Sequence, residues 1–152
     1  MLEGREITVD EAVTELGRDR PFYATSGGGV TLSGGEPLAQ PEFTIAVLER
    51  CRAEGMHTCL DTSGQAPWEH LERALAWTDL VLYDFKIADS ALHRKYTGVT
   101  NDLIRENLLR VNDRGTPIEI RMPVIPGVND GEENLDATAA ILAPLASIRR
   151  VT

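Results

Sequence analysis

Ser26-Gly27-Gly28-Gly29-Val30-Thr31-Leu32-Ser33-Gly34-Gly35-Glu36-Pro37 reads as a short strand running into a glycine turn. Its centre, Val30-Thr31-Leu32-Ser33, is β-branched and apolar, the pattern of a buried strand. Gly34 and Gly35 lack a Cβ, so the backbone can turn sharply there and a ligand can approach the peptide groups closely. Glu36 then stands at the mouth of the turn, and Pro37 ends the strand. A strand end offering bare peptides and one carboxylate suits a cationic or amine-bearing small molecule. An ordinary glycine turn with a solvated glutamate has the same appearance.

The same rhythm continues along the chain. Upstream, Thr8 and Glu11 form a capping box for a helix carrying Val9, Ala12, Val13 and Leu16. Gly17 stops it, and Arg18 to Tyr23 reads as a connector. Downstream, Pro41 opens a helix with Phe43, Val47, Leu48 and Cys51 on its apolar face. His57-Thr58-Cys59-Leu60 reads as a strand ending in Asp61-Thr62-Ser63-Gly64. Pro67 opens a helix with Leu71, Ala74 and Leu75, and Leu80-Val81-Leu82-Tyr83 is a strand ending in Asp84-Phe85-Lys86. A short helix around Ser90 to Tyr96 precedes a turn at Gly98. Asn101 suits the N-cap of a helix bearing Ile104, Leu108 and Val111. Pro117-Ile118-Glu119-Ile120 is a strand ending in Arg121. An extended loop from Met122 to Asp130 leads to a last helix with Leu135, Ala139 and Leu142, and Ser147 to Thr152 approaches a further strand.

Alternating strands and helices imply an α/β fold with parallel strands covered by helices. Parallel strands place their C-terminal ends on one side, which is the functional side of a β/α barrel and of an open doubly wound sheet alike. Glu36, Asp61, Asp84, Lys86 and Arg121 all stand at such ends, so they are expected to converge on one mouth.

The 152 residues suit one domain, with 42% apolar and 26% charged residues. The net charge of −9 argues against nucleic acid, which requires a basic face. No apolar run approaches the roughly 20 residues of a membrane span. The charged opening does not read as a signal peptide, so a cytoplasmic protein is expected. Cys51 and Cys59 form neither a CxxC pair nor a disulfide framework and read as buried thiols. His57, His70 and His93 have no paired-ligand spacing.

Three chemistries fit such a mouth. Glu36, Asp61 and Asp84 could gather magnesium, with Lys86 as acid/base. Lys86 could form a Schiff base in a lyase on a β/α barrel. Alternatively, the acids and bare peptides could grip the ammonium of a zwitterion while Lys86 or Arg121 takes its carboxylate. Only the third reading uses the two glycines beside an acid.

Six blocks carry a resemblance: Asp19 to Tyr23, Ser26 to Pro37, His57 to Gly64, Asp79 to Lys86, Thr97 to Asn101, and Ile120 to Asp130. Together, in this order, they resemble the glycyl-radical-enzyme activating enzymes of the radical S-adenosylmethionine superfamily, which include the pyruvate formate-lyase activators. The resemblance implies a partial parallel β/α barrel, S-adenosylmethionine and a 4Fe–4S cluster as cofactors, and reductive cleavage to a 5′-deoxyadenosyl radical that takes hydrogen from a glycine of a partner glycyl radical enzyme. It implies an electron donor such as flavodoxin or ferredoxin. It assigns Gly34, Gly35 and Glu36 to the methionine amino group and Lys86 to its carboxylate. Asp61, Thr62, the Leu82 carbonyl and Asp84 go to a monovalent cation, Na+ or K+. Arg121 falls near the cofactor or the partner's glycine loop, and Val124 to Asp130 near the adenosine.

The chain departs from the family pattern in having no Cys-x-x-x-Cys-x-x-Cys. The resemblance therefore makes it a truncated central segment without the first strand, the cluster loop or the C-terminal end. Residues 1–29 are expected to follow a lost ferredoxin-like insert, and 30–152 to form the β/α core. On that reading the chain alone is inactive, with exposed strand edges and low stability. A non-catalytic or remnant protein that keeps the ligand pocket is the alternative. His93 reads as a surface helix residue, Trp68 and Trp77 as packing aromatics, and Tyr83 as packed within its strand.

Overall fold

Register determines what each strand residue faces. In the computed structural model, which describes residues 5–152, five strands form one sheet: β1 (Gly29–Leu32), β2 (His57–Thr62), β3 (Leu80–Asp84), β4 (Ile118–Arg121) and β5 (Ile148–Val151). Leu2, Glu3 and Gly4 of the opening segment lie outside the described residues. The strands stand side by side in chain order, and every neighbouring pair is parallel. A doubly wound sheet would reverse its order at a switch point. An unreversed order with crossovers of one hand keeps the helices on one side and leaves the other side concave. The fold is a partial parallel β/α barrel.

Leu32 pairs with Leu60, Leu60 with Val81, Val81 with Ile118, and Tyr83 with Ile120. These residues share one face and pack against the helices, where Leu60, Val81, Tyr83, Ile118 and Ile120 are all buried. With a side-chain period of two, the other face carries Thr31, Cys59, Asp61, Leu82, Asp84, Glu119 and Arg121. The apolar alternate positions drive burial, and the intervening ones line the concavity.

The helical layer contains α1 (Val9–Leu16), α2 (Arg20–Ser26), α3 (Pro41–Ala53), α4 (Trp68–Leu75), α5 (Ser90–Thr97), α6 (Asp102–Asp113) and α7 (Glu132–Leu142). The capping box of α1 is present: the Thr8 hydroxyl accepts from Glu11 N, and the Glu11 carboxylate accepts from Thr8 N. Val13 of α1 joins Val30, Val47, Cys51 and Met56 in a second small core. Among the described residues, no helix is long and apolar enough to cross a membrane.

Two local expectations are corrected. Arg18 to Tyr23 is not a loose connector. A 3-10 turn at Gly17–Asp19 leads into α2, with Pro21 in its first turn and Gly27 in the left-handed conformation closing it. His93 is buried rather than exposed, because its Nδ1 donates to the Val99 carbonyl at 2.7 Å and closes the end of α5. Trp68 and Trp77 do pack on the core. Asn101 occupies the N-cap position of α6, but its side chain caps nothing there and turns instead to the β3–α5 connection.

Tyr83 fixes the top of the sheet. Its hydroxyl donates to the Ile104 carbonyl at 2.6 Å, and burial pushes its pKa far above the ordinary tyrosine value, with the Glu36 charge adding to the effect. Gly64 lies directly over that ring at φ +72°, where an added Cβ would come within 1.8 Å of the hydroxyl oxygen. Gly64→Ala is therefore expected to cost about 3 kcal/mol or more in urea unfolding, combining left-handed backbone strain with overpacking. Tyr83→Phe, which removes only the hydroxyl, should cost about 1–2 kcal/mol. Equal costs would show that the contact at Gly64 is not rigid.

Candidate functional site

Two adjoining groups of side chains form at the C-terminal ends of the strands. In the first, Glu36 is bound on both oxygens. Oε1 accepts from the Thr62 hydroxyl at 2.7 Å and from Leu38 N at 3.3 Å. Oε2 accepts from Ser63 N at 3.1 Å and from the Ser63 hydroxyl at 2.8 Å. Glu36 caps the 3-10 turn at Pro37–Ala39 and ties the turn after β1 to the turn after β2. Thr62 pairs with Tyr83 in the register, so its side chain belongs to the helix-facing set rather than to the concave face. Its hydroxyl also accepts from Gly64 N at 3.0 Å.

The second group lies on the concave face. Arg121 Nη1 is 3.1 Å from Asp61 Oδ2, and its Nε donates to Asp84 Oδ1 at 3.2 Å. Lys86 Nζ donates to the other Asp84 oxygen at 2.9 Å, and the Ser33 hydroxyl donates to Asp61 Oδ2 at 2.7 Å. Asp84 and Arg121 are register partners, and Leu82 stands opposite Asp61 on the same face. Burial works against the Arg121 charge. The hydrogen bond to Asp84 and the negative charges of Asp61 and Asp84 outweigh it and hold the pKa above the usual arginine value.

The expected convergence is thus met by Asp61, Asp84, Lys86 and Arg121, while Glu36 and Thr62 belong to the adjoining clamp. Ser33 and Ser63 were not singled out from the sequence. Each directly follows or precedes a residue that was, and a hydroxyl within three residues of a strand-end carboxylate is the signal that could have found them. Asn107 was also missed: its buried amide donates to the carbonyls of Gly64 at 2.8 Å and Ala66 at 2.9 Å, holding the turn after β2.

Beside these groups, Gly34 and Gly35 form an open edge. Among the described residues, a Cβ at either would meet nothing within 4 Å, and Gly34 has φ +138°, a region that favours glycine. They border a cavity of about 840 Å3 that Arg5, Thr8, Glu11, Glu36 and Phe43 also line; Asp61, Asp84, Lys86 and Arg121 do not line it, and the Ser33 hydroxyl on Asp61 is what sets the glycine turn beside them. Bare peptides, two carboxylates, an ammonium and a guanidinium in one mouth fit the amino-acid end of S-adenosylmethionine. The thiols do not fit an iron–sulfur cluster. Cys51 is fully buried in α3, and Cys59 is 6% exposed on β2; a cluster needs at least three convergent thiolates to hold it with one iron free.

The sequence profile of the radical SAM superfamily matches residues 2–139. The chain belongs to the radical SAM superfamily. Among its relatives in that superfamily, the isethionate sulfite-lyase activating enzyme of Nitratidesulfovibrio vulgaris is 47% identical over 144 residues, covering 93% of this chain and 47% of the relative. The (2S)-3-sulfopropanediol dehydratase activating enzyme of Klebsiella oxytoca is 44% identical over 138 residues, covering 91% and 44%. This radical SAM chain therefore spans less than half the length of these curated relatives. A crystal structure of a domain of pyruvate-formate lyase-activating enzyme from Bacteroides vulgatus superposes with a TM-score of 0.73 at 42% identity, over 78% of this chain and 73% of that one.

Asp61 is 8% exposed and depends on a counter-charge, whereas Asp84 and Lys86 are more open to water. Arg121→Gln is expected to lower the free energy of unfolding by about 1–2 kcal/mol and Lys86→Gln by less than about 0.5 kcal/mol, read by urea titration. The reverse order would mean that Arg121 does not neutralise Asp61. Burial also raises the pKa of Cys51 and of Cys59 above the ordinary thiol value. A raised acid contributes stability that is present below about pH 8.5 and lost as pH rises through the folded-state value. At pH 8, both thiols should react with a disulfide reagent on the order of 100-fold more slowly in the folded protein than in urea. Fast reaction of either would show it to be accessible.

Proposed function

We propose that this chain is the cofactor-positioning part of a radical SAM activating enzyme that acts on a glycyl radical enzyme. The observation that carries the reading is the juxtaposition of Asp61, Asp84, Lys86 and Arg121 with the bare Gly34–Gly35 turn. Similarity to proteins named as activating enzymes supports it.

S-adenosylmethionine, when bound beside a reducing iron–sulfur cluster held by other parts of a complete enzyme, supplies the adenosyl radical chemistry. This chain's own residues do the rest. The peptide groups of Gly34 and Gly35 receive the ligand's ammonium, and Glu36 holds that turn against Thr62 and Ser63. Lys86 takes the carboxylate. Asp61, Asp84 and the Leu82 carbonyl accommodate Na+ or K+, which takes over the charge that Arg121 supplies between the two aspartates; Thr62, whose hydroxyl is bound to Glu36 on the other face, stays outside that site. Arg121 is then free to face the cofactor or the partner's glycine loop. In the complete enzyme, flavodoxin or ferredoxin is the electron donor.

The two lyase readings lack support in the geometry. Glu36 is committed to Thr62 and Ser63, and the described residues contain no group of three carboxylate, histidine or cysteine side chains placed for a metal ion. Lys86 is ion-paired with Asp84 and part-exposed, unlike a nucleophilic lysine in an apolar pocket.

Calorimetry with S-adenosylmethionine in sodium or potassium buffer tests the proposal. The unaltered chain should bind, and Asp84→Asn and Lys86→Met should each weaken binding by about tenfold or more, as expected when a charged partner is lost. Unchanged affinity in both variants would refute the assignment. Under anaerobic reducing conditions with added iron and sulfide, these 152 residues should yield no 5′-deoxyadenosine, because they contain two cysteines and no cluster loop. Robust turnover would contradict this.

A further inference from the structure

The short run that carries Lys86 away from β3 is held through its backbone by four other parts of the chain. Phe85 N donates to the Arg121 carbonyl at 3.0 Å. The Lys86 carbonyl accepts from Asn129 Nδ2 at 2.8 Å. The Ile87 and Ala88 carbonyls accept from Asn101 Nδ2 at 2.9 and 2.8 Å. Ala88 N donates to Asn134 Oδ1 at 2.9 Å.

Asn129 is the hub. It is 1% exposed. Besides its bond to Lys86, its amide donates to the Pro123 carbonyl at 2.9 Å, and its Oδ1 accepts from Ile125 N at 2.6 Å. Its own carbonyl accepts from Asn134 Nδ2 at 2.9 Å. One side chain thus closes the Met122–Asp130 loop on itself and fastens it to the backbone of Lys86.

Buried asparagines often do no more than close loops. This one is joined at the residue whose side chain leaves the network for the mouth. A lysine stem is flexible, and ordering it against a ligand costs rotamer entropy. A mobile Lys86 backbone would add to that cost, and a fixed one removes that part of it. We propose that Asn129, backed by Asn134 and Asn101, is a positioning residue that sets Lys86 against the carboxylate of the bound ligand and couples the Met122–Asp130 loop to that contact. The inference rests on the assignment of Lys86 under the proposed function. It adds that Lys86 and the loop answer to ligand as one unit.

The test is a double-mutant cycle read by calorimetry on the full chain: unaltered, Asn129→Ala, Lys86→Met and both together. The ligands are S-adenosylmethionine and decarboxylated S-adenosylmethionine, which keeps its ammonium. Asn129→Ala should weaken S-adenosylmethionine on the order of tenfold when Lys86 is present and by less than about twofold in the Lys86→Met background, as coupled neighbours do. Its effect on the decarboxylated ligand should stay below about twofold in either background. Equal losses in both backgrounds, or for both ligands, would overturn the inference and leave Asn129 a loop-closing residue. Absence of binding by the unaltered chain would instead overturn the assignment beneath it. If thermal melting shows Asn129→Ala to be unfolded, the same cycle with Asn134→Ala decides, since that substitution removes the bonds to Ala88 N and the Asn129 carbonyl and leaves the loop's own closure intact.

Discussion

A carboxylate that is 8% exposed needs a counter-charge, and the placement of Arg121 across Asp61 and Asp84 supplies one to two strands at once. This pairing depends on register. Were β4 slipped by one residue, Arg121 would exchange faces with Ile120, leaving both aspartates without it and placing a guanidinium in the apolar layer. The ionic contact and the hydrophobic packing therefore specify the same alignment. Ile118 and Ile120 pull one face of β4 into the core, and Arg121 settles the other against its neighbours.

Around that contact the turns are fastened by side chains rather than by further sheet. Glu36 binds the turn after β1 to the turn after β2, and Asn107 holds the latter from α6. Asn129 and Asn134 join the connections after β3 and β4. Asn107 and Asn129 are buried with little water to compete for their bonds, so those bonds are worth more than on the surface and cost more when broken, whereas Glu36 and Asn134 are half-buried. The result is a mouth whose walls are set before any ligand arrives, which reduces the ordering that binding must impose. The Gly34–Gly35 edge is the contrast: among the described residues, nothing lies within 4 Å of where a Cβ would stand.

Much of this was legible in the sequence. The apolar run Leu80-Val81-Leu82-Tyr83 and the segment Pro117-Ile118-Glu119-Ile120 identify the strands, and the polar residues that follow them, Asp84 and Arg121, mark the strand ends. The capping box at Thr8 and the glycine punctuation marked helix ends well. What the sequence hid has one physical origin: a hydrogen bond between distant segments leaves no local pattern. Glu36 read as a free carboxylate because nothing near it shows that Thr62 and Ser63 will reach it. His93 read as exposed because its partner is a carbonyl at Val99, visible only once Gly98 has turned the chain. Asn101 read as a helix cap, which its position justifies, yet two carbonyls of another connection are the better partners for its amide. Arg18 to Tyr23 read as a connector because Gly17 ends the first helix and the run after it is too short to show a helical period, although Pro21 suits the first turn that it occupies.

The most direct test of the claim that this mouth grips a zwitterion is amide NMR of the chain titrated with S-adenosylmethionine in potassium buffer. Resonances of Gly34, Gly35, Asp61, Lys86 and Ala88 should shift together and saturate at one concentration, while those of Gly28 and His57 at the opposite strand ends stay in place. Shifts confined to the opposite ends, or none at ligand concentrations in the millimolar range, would contradict it.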